Sequence, residues 1–399
     1  MKKYLFIIFF CVINFTLHGQ NTIQSTILLD DQEMKIESME AVNAMYNFKF
    51  EEADRQFRWF KIKYPNHPLP YFLLGLNEWW KVMPDPLENK YDAKLIAYMD
   101  SAIKMADKMY DKNKDDTEAA FFLAAAYGFK GRLYSEREQW RKAALAGNRA
   151  LNYLDKFKNK ENLSIEFLFG DGLYNYFREW IPENYKSLKP LLLFFSHGDK
   201  KKGIDQLKKV TEEAFYTRTE AQYFLMRIYE EEKNSLKAFQ LAELLHTTYP
   251  DNAYFHRYYD RMLFSMGQIR EVEKVSVEIL DRLEKKQVGY EFTSGRYAAF
   301  YLGYISENFN HDIEKAKSFY KKTVVFAELS GARDSGYYLS ALTALGRIYN
   351  KEGNTDEAKK YYEIALKHSE KKSSTHIESE KFLKDLKKAI KTKSKNKKK

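Results

Sequence analysis

One pattern of small and large side chains recurs along this chain, and it is clearest in residues 339–370. Large apolar residues are spaced three or four apart on two stretches that flank a turn at Gly353. This spacing places the apolar side chains on one face of each of two short helices. The small residues Gly346 and Ala358 let the two helices approach closely. Because one such hairpin cannot bury its apolar face alone, neighbouring hairpins must stack on it.

The same pattern returns about every 34 residues through residues 219–370. Leu225 and Tyr229 belong to one copy, and Leu263 and Gly267 belong to the next. Residues 68–215 carry the pattern less regularly, because proline-containing loops and longer turns interrupt it. We therefore predict one stack of about eight hairpins between residues 21 and 370.

The order of a large residue, Leu-Gly, Tyr and Ala-Tyr-Ala in residues 339–370 resembles a tetratricopeptide (TPR) repeat. The segment that begins at Phe167 also resembles the middle of the IML2/TTC39 group of TPR-type proteins. It carries a Gly-x-Gly helix, a proline-bearing apolar insert and a Gly-Asp turn in the same order. The TPR resemblance implies an all-α, right-handed, TPR-like helical-hairpin solenoid. It also implies a concave face, lined by the first helix of each hairpin, that binds a protein segment.

Composition agrees with a helical array. The 399 residues include only 17 Gly and 8 Pro, against 30 Tyr and 29 Phe, which is too few turn residues for an all-β protein. The single cysteine, Cys11, excludes an intramolecular disulfide and a cysteine-based zinc site. The net charge of +10 is concentrated near the end, because residues 381–399 hold ten Lys and one Asp. The rest of the chain is therefore close to neutral.

The start of the chain predicts export. Lys2 and Lys3 precede an apolar run over residues 4–17, and the small residue Gly19 follows it. The run is shorter than the roughly 20 residues of a comfortable membrane span. We predict a secretory signal peptide at residues 1–20 and an exported protein, periplasmic or envelope-associated in a bacterium. An uncleaved membrane anchor remains the alternative.

The end of the chain predicts two elements. Residues 375–390 have the pattern of a polar-faced helix that caps the solenoid, and residues 391–399 are too lysine-rich to fold. This Lys tail is a candidate for contact with an envelope membrane or an anionic polymer, worth about 1 kcal/mol per Lys near the surface. A solvated end is the alternative, and export argues against nucleic acid as a partner.

No catalytic constellation is visible in the sequence. The eight histidines are scattered without metal-ligand spacing, and we predict that they lie at the surface or in turns. The glycine-rich and nucleophile motifs of nucleotide-binding proteins and hydrolases do not occur. We therefore expect a non-catalytic protein without a cofactor or a metal.

The concave face offers the best candidate site. In the register of the repeat, four residues occupy the ninth position of successive copies: Arg227, Arg261, Tyr304 and Arg347. Helix packing would place neighbours in this column roughly 10 Å apart. Further concave positions hold Tyr223, Tyr254 and Arg257.

Arginine can bind a carboxylate with two hydrogen bonds, and tyrosine adds apolar contact at little cost in entropy. This column therefore predicts a groove for an acidic or carboxylate-ended peptide. The alternative is that each arginine pairs with a local acid, Glu230, Glu231 or Asp260, and only ties helices together.

Three functional hypotheses follow. The first is an exported, non-catalytic scaffold or adaptor that binds a protein segment in its groove. The second is a small-molecule binder or enzyme that uses the irregular unit at residues 167–195, which would require a closed pocket with converging polar groups. The third is a membrane-associated structural spacer, and the role of the insert at residues 176–198 stays open in all three.

Overall fold

The computed structural model describes residues 27–186, 189 and 196–396. These ranges contain seventeen α-helices and no strand, so the predicted all-α fold class is confirmed. No helix within them is long and apolar enough to cross a membrane. The predicted signal peptide at residues 1–20 lies outside the described residues. The bounds are α1 Gln32–Tyr46, α2 Phe50–Lys63, α3 Pro68–Val82, α4 Asp92–Lys112, α5 Thr117–Glu136, α6 Trp140–Phe157, α7 Phe167–Asn184, α8 Lys200–Glu213, α9 Arg218–Glu231, α10 Ser235–Thr248, α11 Ala253–Ser265, α12 Ile269–Glu284, α13 Phe292–Asn308, α14 Ile313–Leu329, α15 Gly336–Lys351, α16 Thr355–His368 and α17 Ser374–Asn396.

The helices form a solenoid of stacked hairpins. Each helix packs against the next along the chain, from α1 to α17. Alternate helices also touch, as in α3 with α5 and α13 with α15, so the first helices of successive hairpins lie side by side. This arrangement gives each hairpin the neighbour it needs to bury its apolar face.

Small residues set the spacing inside the hairpins. A Cβ atom added to Gly346 would lie 2.8 Å from the Tyr362 ring, and one added to Gly303 would lie 2.7 Å from the Tyr320 ring. Ala358 is completely buried. The close approach predicted from Gly346 and Ala358 is therefore confirmed.

The first two hairpins also pack against much later ones, which the sequence pattern did not predict. The Asn252 side-chain amide donates to the Tyr46 carbonyl oxygen at 2.7 Å, and the Arg257 guanidinium donates to the Pro84 carbonyl oxygen at 2.8 Å. The indole of Trp80 lies against Phe255, with ring centroids 5.2 Å apart. The Tyr46 hydroxyl and Trp80 Nε1 also donate to Glu220 of α9. Helices α1 and α3 therefore contact α9 and α11, so the solenoid winds tightly enough for its beginning to meet its middle.

The last helix is longer than predicted. We expected it to end at residue 390 and residues 391–399 to be disordered, but α17 continues to Asn396. Lysine is a good helix former, and pairs such as Lys384 with Glu380 at 2.9 Å favour the helix further. The Phe382 ring stacks on Tyr362 at 4.3 Å, so α17 covers the open face of the last hairpin.

One histidine departs from the predicted surface position. His256 is fully buried in α11, and its ring stacks on His246 at a centroid distance of 4.5 Å. The Tyr290 hydroxyl accepts a hydrogen bond from the Arg282 guanidinium at 2.9 Å and is also hydrogen-bonded to His256 Nδ1 at 2.8 Å. Burial, with a smaller contribution from His246, lowers the pKa of His256 to about 2. The folded protein therefore holds this imidazole neutral.

This histidine predicts a loss of stability in mild acid. Its unfolded pKa is about 6.5, so the stabilising contribution is complete above that pH and is lost as the pH falls towards the folded value. Between pH 7 and pH 5 we expect the free energy of unfolding to fall by about 2 kcal/mol more in the wild type than in His256→Gln. Urea denaturation at both pH values measures the difference. His197→Gln, at an exposed position, serves as the control and should behave as the wild type does. If the free energy of unfolding fell equally between the two pH values in His256→Gln and in the wild type, the prediction would be wrong.

Candidate functional site

A concavity of about 550 Å³ opens between α5, α9, α11 and α13. We call it the arginine concavity, after the arginines that line it: Arg132, Arg227, Arg257 and Arg261. Four tyrosines line it as well: Tyr223, Tyr254, Tyr258 and Tyr297. Five of the seven predicted site residues therefore lie together at one place.

Two guanidinium groups meet at one phenol in this concavity. The Tyr223 hydroxyl accepts a hydrogen bond from Arg132 Nη2 at 2.6 Å and another from Arg227 Nη1 at 3.0 Å. Burial alone would raise the pKa of Tyr223, but the positive charges of Arg132 and Arg227 outweigh burial and lower it. The local potential is therefore strongly positive.

Arg227 is the arginine most available to a partner. It lies one helical turn after Tyr223 on α9, which directs both side chains to the same face, and it is exposed to solvent. Across the part of the chain that the structure describes, no carboxylate lies within ion-pair distance of Arg227. The predicted local pairing with an acid therefore does not apply to this residue.

Arg261 has a local partner, as the alternative interpretation proposed. Its Nη2 lies 2.5 Å from Glu230 Oε2, and the Tyr258 hydroxyl donates to the same oxygen. The guanidinium also stacks over the Tyr258 ring at 4.3 Å. Asp260 does not pair with an arginine; it is buried and accepts a hydrogen bond from Ser276 Oγ at 2.7 Å.

The other two predicted residues in the concavity, Arg257 and Tyr254, mainly hold neighbouring helices together. Arg257 is buried and spans the stack, since Nη1 donates to the Pro84 carbonyl oxygen and to Ser294 Oγ at 2.9 Å. The Tyr254 ring lies 5.7 Å from Tyr223 and 6.4 Å from Trp80. Both side chains shape the floor of the arginine concavity.

Arg347 and Tyr304 lie away from the arginine concavity. Arg347 Nη1 pairs with Glu378 of α17 at 2.9 Å, and the Tyr304 ring packs edge-on against Phe264 at 5.3 Å. The capping helix thus occupies the end of the predicted column. A direct role of these seven residues in binding stays a prediction, and the geometry favours Arg227 among them.

Sequence reasoning missed Arg132. This residue comes from α5, 91 positions before Tyr223, and its guanidinium stacks over the Trp79 ring at 4.4 Å. Nη1 has no hydrogen-bond partner, and no carboxylate lies within ion-pair distance among the described residues. The repeat register orders residues within one hairpin, so it gave no signal for a cation contributed from two hairpins earlier in the chain. Within the described ranges, no group of three or more His, Cys, Asp or Glu side chains could hold a metal ion.

No model of a known protein family matches this chain, and no curated protein matches it in sequence. Solved structures with a related arrangement of helices include a human IFIT1 dimer with PPP-AAAA, with a TM-score of 0.43 and 16% identity over 80% of this chain and 68% of that chain. The C-terminal part of a TPR repeat-containing protein from Cytophaga hutchinsonii has a TM-score of 0.26 and 14% identity, covering 86% and 99%. The TPR domain of P58(IPK) has a TM-score of 0.22 and 13% identity, covering 90% and 97%. Likenesses at this level carry no conclusion about function.

Proposed function

We propose that this protein is a non-catalytic, TPR-like scaffold whose arginine concavity holds an acidic segment of a partner protein. The observation that carries the proposal is Arg227, an exposed residue whose guanidinium donates to a phenol instead of a carboxylate. Guanidinium groups bind carboxylates in a planar, two-point geometry. A carboxylate of the partner would supply the counter-charge that no described residue places within ion-pair distance of Arg227.

The charge balance of the arginine concavity supports an acidic partner. Five cations line it, the four arginines and Lys233, against the three carboxylates of Glu136, Glu230 and Glu231. Glu230 is already engaged by Arg261 and Tyr258. The remaining excess of positive charge attracts an anionic segment and repels a basic one. The tyrosine rings add apolar contact around the charged groups.

The proposal extends to where the scaffold works. The signal peptide predicted at residues 1–20 would export the chain to the periplasm or envelope of a bacterium. The lysines at the end of the chain would then hold it near an anionic membrane surface or polymer. In this arrangement the tail sets location and the arginine concavity selects the partner.

A labelled peptide of six glutamates tests the concavity. At a moderate ionic strength of about 0.1 M, where the screening length is about 10 Å, we expect the wild type to bind this peptide and to bind a peptide of six glutamines far more weakly. Arg227→Glu should weaken binding of the glutamate peptide by about tenfold or more, because it replaces the attracting charge with a repelling one. Fluorescence anisotropy gives both dissociation constants.

The matched control is Arg270→Glu, an identical change of charge at an exposed position of α12 outside the arginine concavity. We expect this variant to bind within about twofold of the wild type, since the screening length is close to 10 Å at moderate salt. If both variants lost affinity equally, the binding would reflect net charge and the proposed site would be wrong.

A further inference from the structure

A second, apolar pocket lies beside the arginine concavity. It has a volume of about 320 Å³ and is enclosed by α3, α5, α6, α7 and α9. Its walls are phenyl rings and aliphatic side chains, with Phe72, Phe129, Phe177 and Phe224 each only partly buried. Pockets of this size and character hold small molecules in other proteins.

Several polar side chains interrupt the apolar wall, and two of them, Arg132 and Glu220, carry a buried atom without a hydrogen-bond partner. Arg132 borders this pocket as well as the arginine concavity, and its Nη1 is unpartnered. Glu220, only 3% exposed, uses Oε1 to accept from Trp80 Nε1 at 2.9 Å and from the Tyr46 hydroxyl at 3.3 Å, while Oε2 is unpartnered. Buried polar atoms without partners are rare in folded proteins, so these two mark a place where a polar group of a ligand fits.

Arg132 brings a positive charge to this place. Arg132 stays protonated at any ordinary pH, and among the described residues no carboxylate reaches ion-pair distance from it. Burial raises the pKa of Glu220, even though the charge of Arg132 and two hydrogen bonds lower it. Burial thus favours the uncharged acid form of Glu220, which donates from Oε2. The Arg132 guanidinium and this acid group can both donate to an anionic head group placed between them.

We propose that the apolar pocket binds an unbranched aliphatic carboxylate, with its chain among the phenyl rings and its carboxylate against Arg132 and Glu220. A methylene group occupies about the space of one water molecule, roughly 30 Å³, so the pocket holds a chain of about ten carbon atoms. A cationic head group would be repelled by Arg132. An alcohol could accept from both donors but would leave the guanidinium charge uncompensated.

Decanoate, decanol and decylamine are the probes, since they share a chain and differ only in the head group. Isothermal titration with the full chain should give saturable binding of decanoate, with decanol weaker by about tenfold and decylamine without measurable binding. In Arg132→Gln, the affinity for decanoate should fall to the affinity that the wild type has for decanol. Decanoate that fails to saturate, or that binds no more tightly than decanol to the wild type, would overturn the proposal.

Gly128 supplies a variant that blocks the pocket without disturbing the fold. It lies on the pocket wall in α5, and a Cβ added to it would meet no atom within 4 Å. Gly128→Phe should reduce the affinity for decanoate by about tenfold or more through occupation of the pocket, and thermal unfolding should show no loss of stability because glycine is a poor helix former. Unchanged decanoate binding in Gly128→Phe would place the ligand elsewhere and contradict the proposal.

The apolar pocket and the arginine concavity can be tested separately. Arg227 lines only the concavity and Gly128 lines only the apolar pocket. We expect Arg227→Gln, which removes the charge without adding an acid next to Arg132, to leave decanoate affinity within about twofold of the wild type and Gly128→Phe to leave binding of the glutamate peptide unchanged. Loss of decanoate binding in Arg227→Gln would show that the carboxylate sits in the concavity, which would overturn the assignment to the apolar pocket.

Discussion

Replacing Glu166 with alanine should lower the free energy of unfolding by about 3–5 kcal/mol. Glu166 is completely buried just before α7. Its Oε1 accepts from the backbone amides of Phe215 and Tyr216 at 2.8 and 3.1 Å, and its Oε2 accepts from the amide and hydroxyl of Thr217 at 2.9 and 2.7 Å. Alanine would leave all four donors buried without an acceptor, and each such donor costs about 1–3 kcal/mol unless water reaches it.

Urea denaturation followed by circular dichroism measures this loss. Glu212→Ala is the matched control, because Glu212 is an exposed acid on the neighbouring helix α8, and we expect it to stay within about 0.5 kcal/mol of the wild type. Glu166→Gln should recover only part of the stability, since the amide keeps one acceptor oxygen and turns its NH₂ group towards donors. A loss below about 1 kcal/mol for Glu166→Ala would show that this carboxylate does not hold the α8–α9 connection.

Replacing Trp80 with alanine should have an effect of the same size, about 3–5 kcal/mol. The indole is fully buried where the first hairpins meet the middle of the stack. Its ring lies 5.3 Å from Tyr46, 5.8 Å from Tyr223 and 5.2 Å from Phe255. Truncation removes these contacts and leaves a cavity that the surrounding helices can close only in part.

Two further tryptophan variants separate packing from hydrogen bonding. Trp80→Phe keeps much of the ring but removes the donor to Glu220, so we expect it to lose about 1–3 kcal/mol. Trp140→Ala, at a position 64% exposed on α6, should be nearly neutral. Equal destabilisation by the alanine variants at positions 80 and 140 would contradict the burial that the structure gives to Trp80.

The parts of the fold that follow from neighbours in sequence could be predicted. The contact of Gly346 with Tyr362 depends only on helical spacing and on the length of one turn. The shared register of Arg227 and Arg261 likewise placed both in the arginine concavity. Each of these predictions needs information from one or two hairpins only.

The parts that depend on the curvature of the whole stack could not be predicted. The hydrogen bond from Asn252 to Tyr46 joins residues 206 positions apart. Whether such residues meet is decided by small rotations that add up over several hairpins. For the same reason Arg132 escaped prediction, and Arg347 was placed in a groove although α17 supplies its partner Glu378.

The contact between the beginning and the middle of the stack limits how this chain can change its size. Repeat arrays commonly grow or shrink by gaining or losing whole units, since each unit touches only its neighbours. Here an extra unit inserted between Trp80 and Glu220 would turn the two out of reach of each other. The contact between Trp80 and Glu220 therefore constrains the number of hairpins in this stretch of the chain.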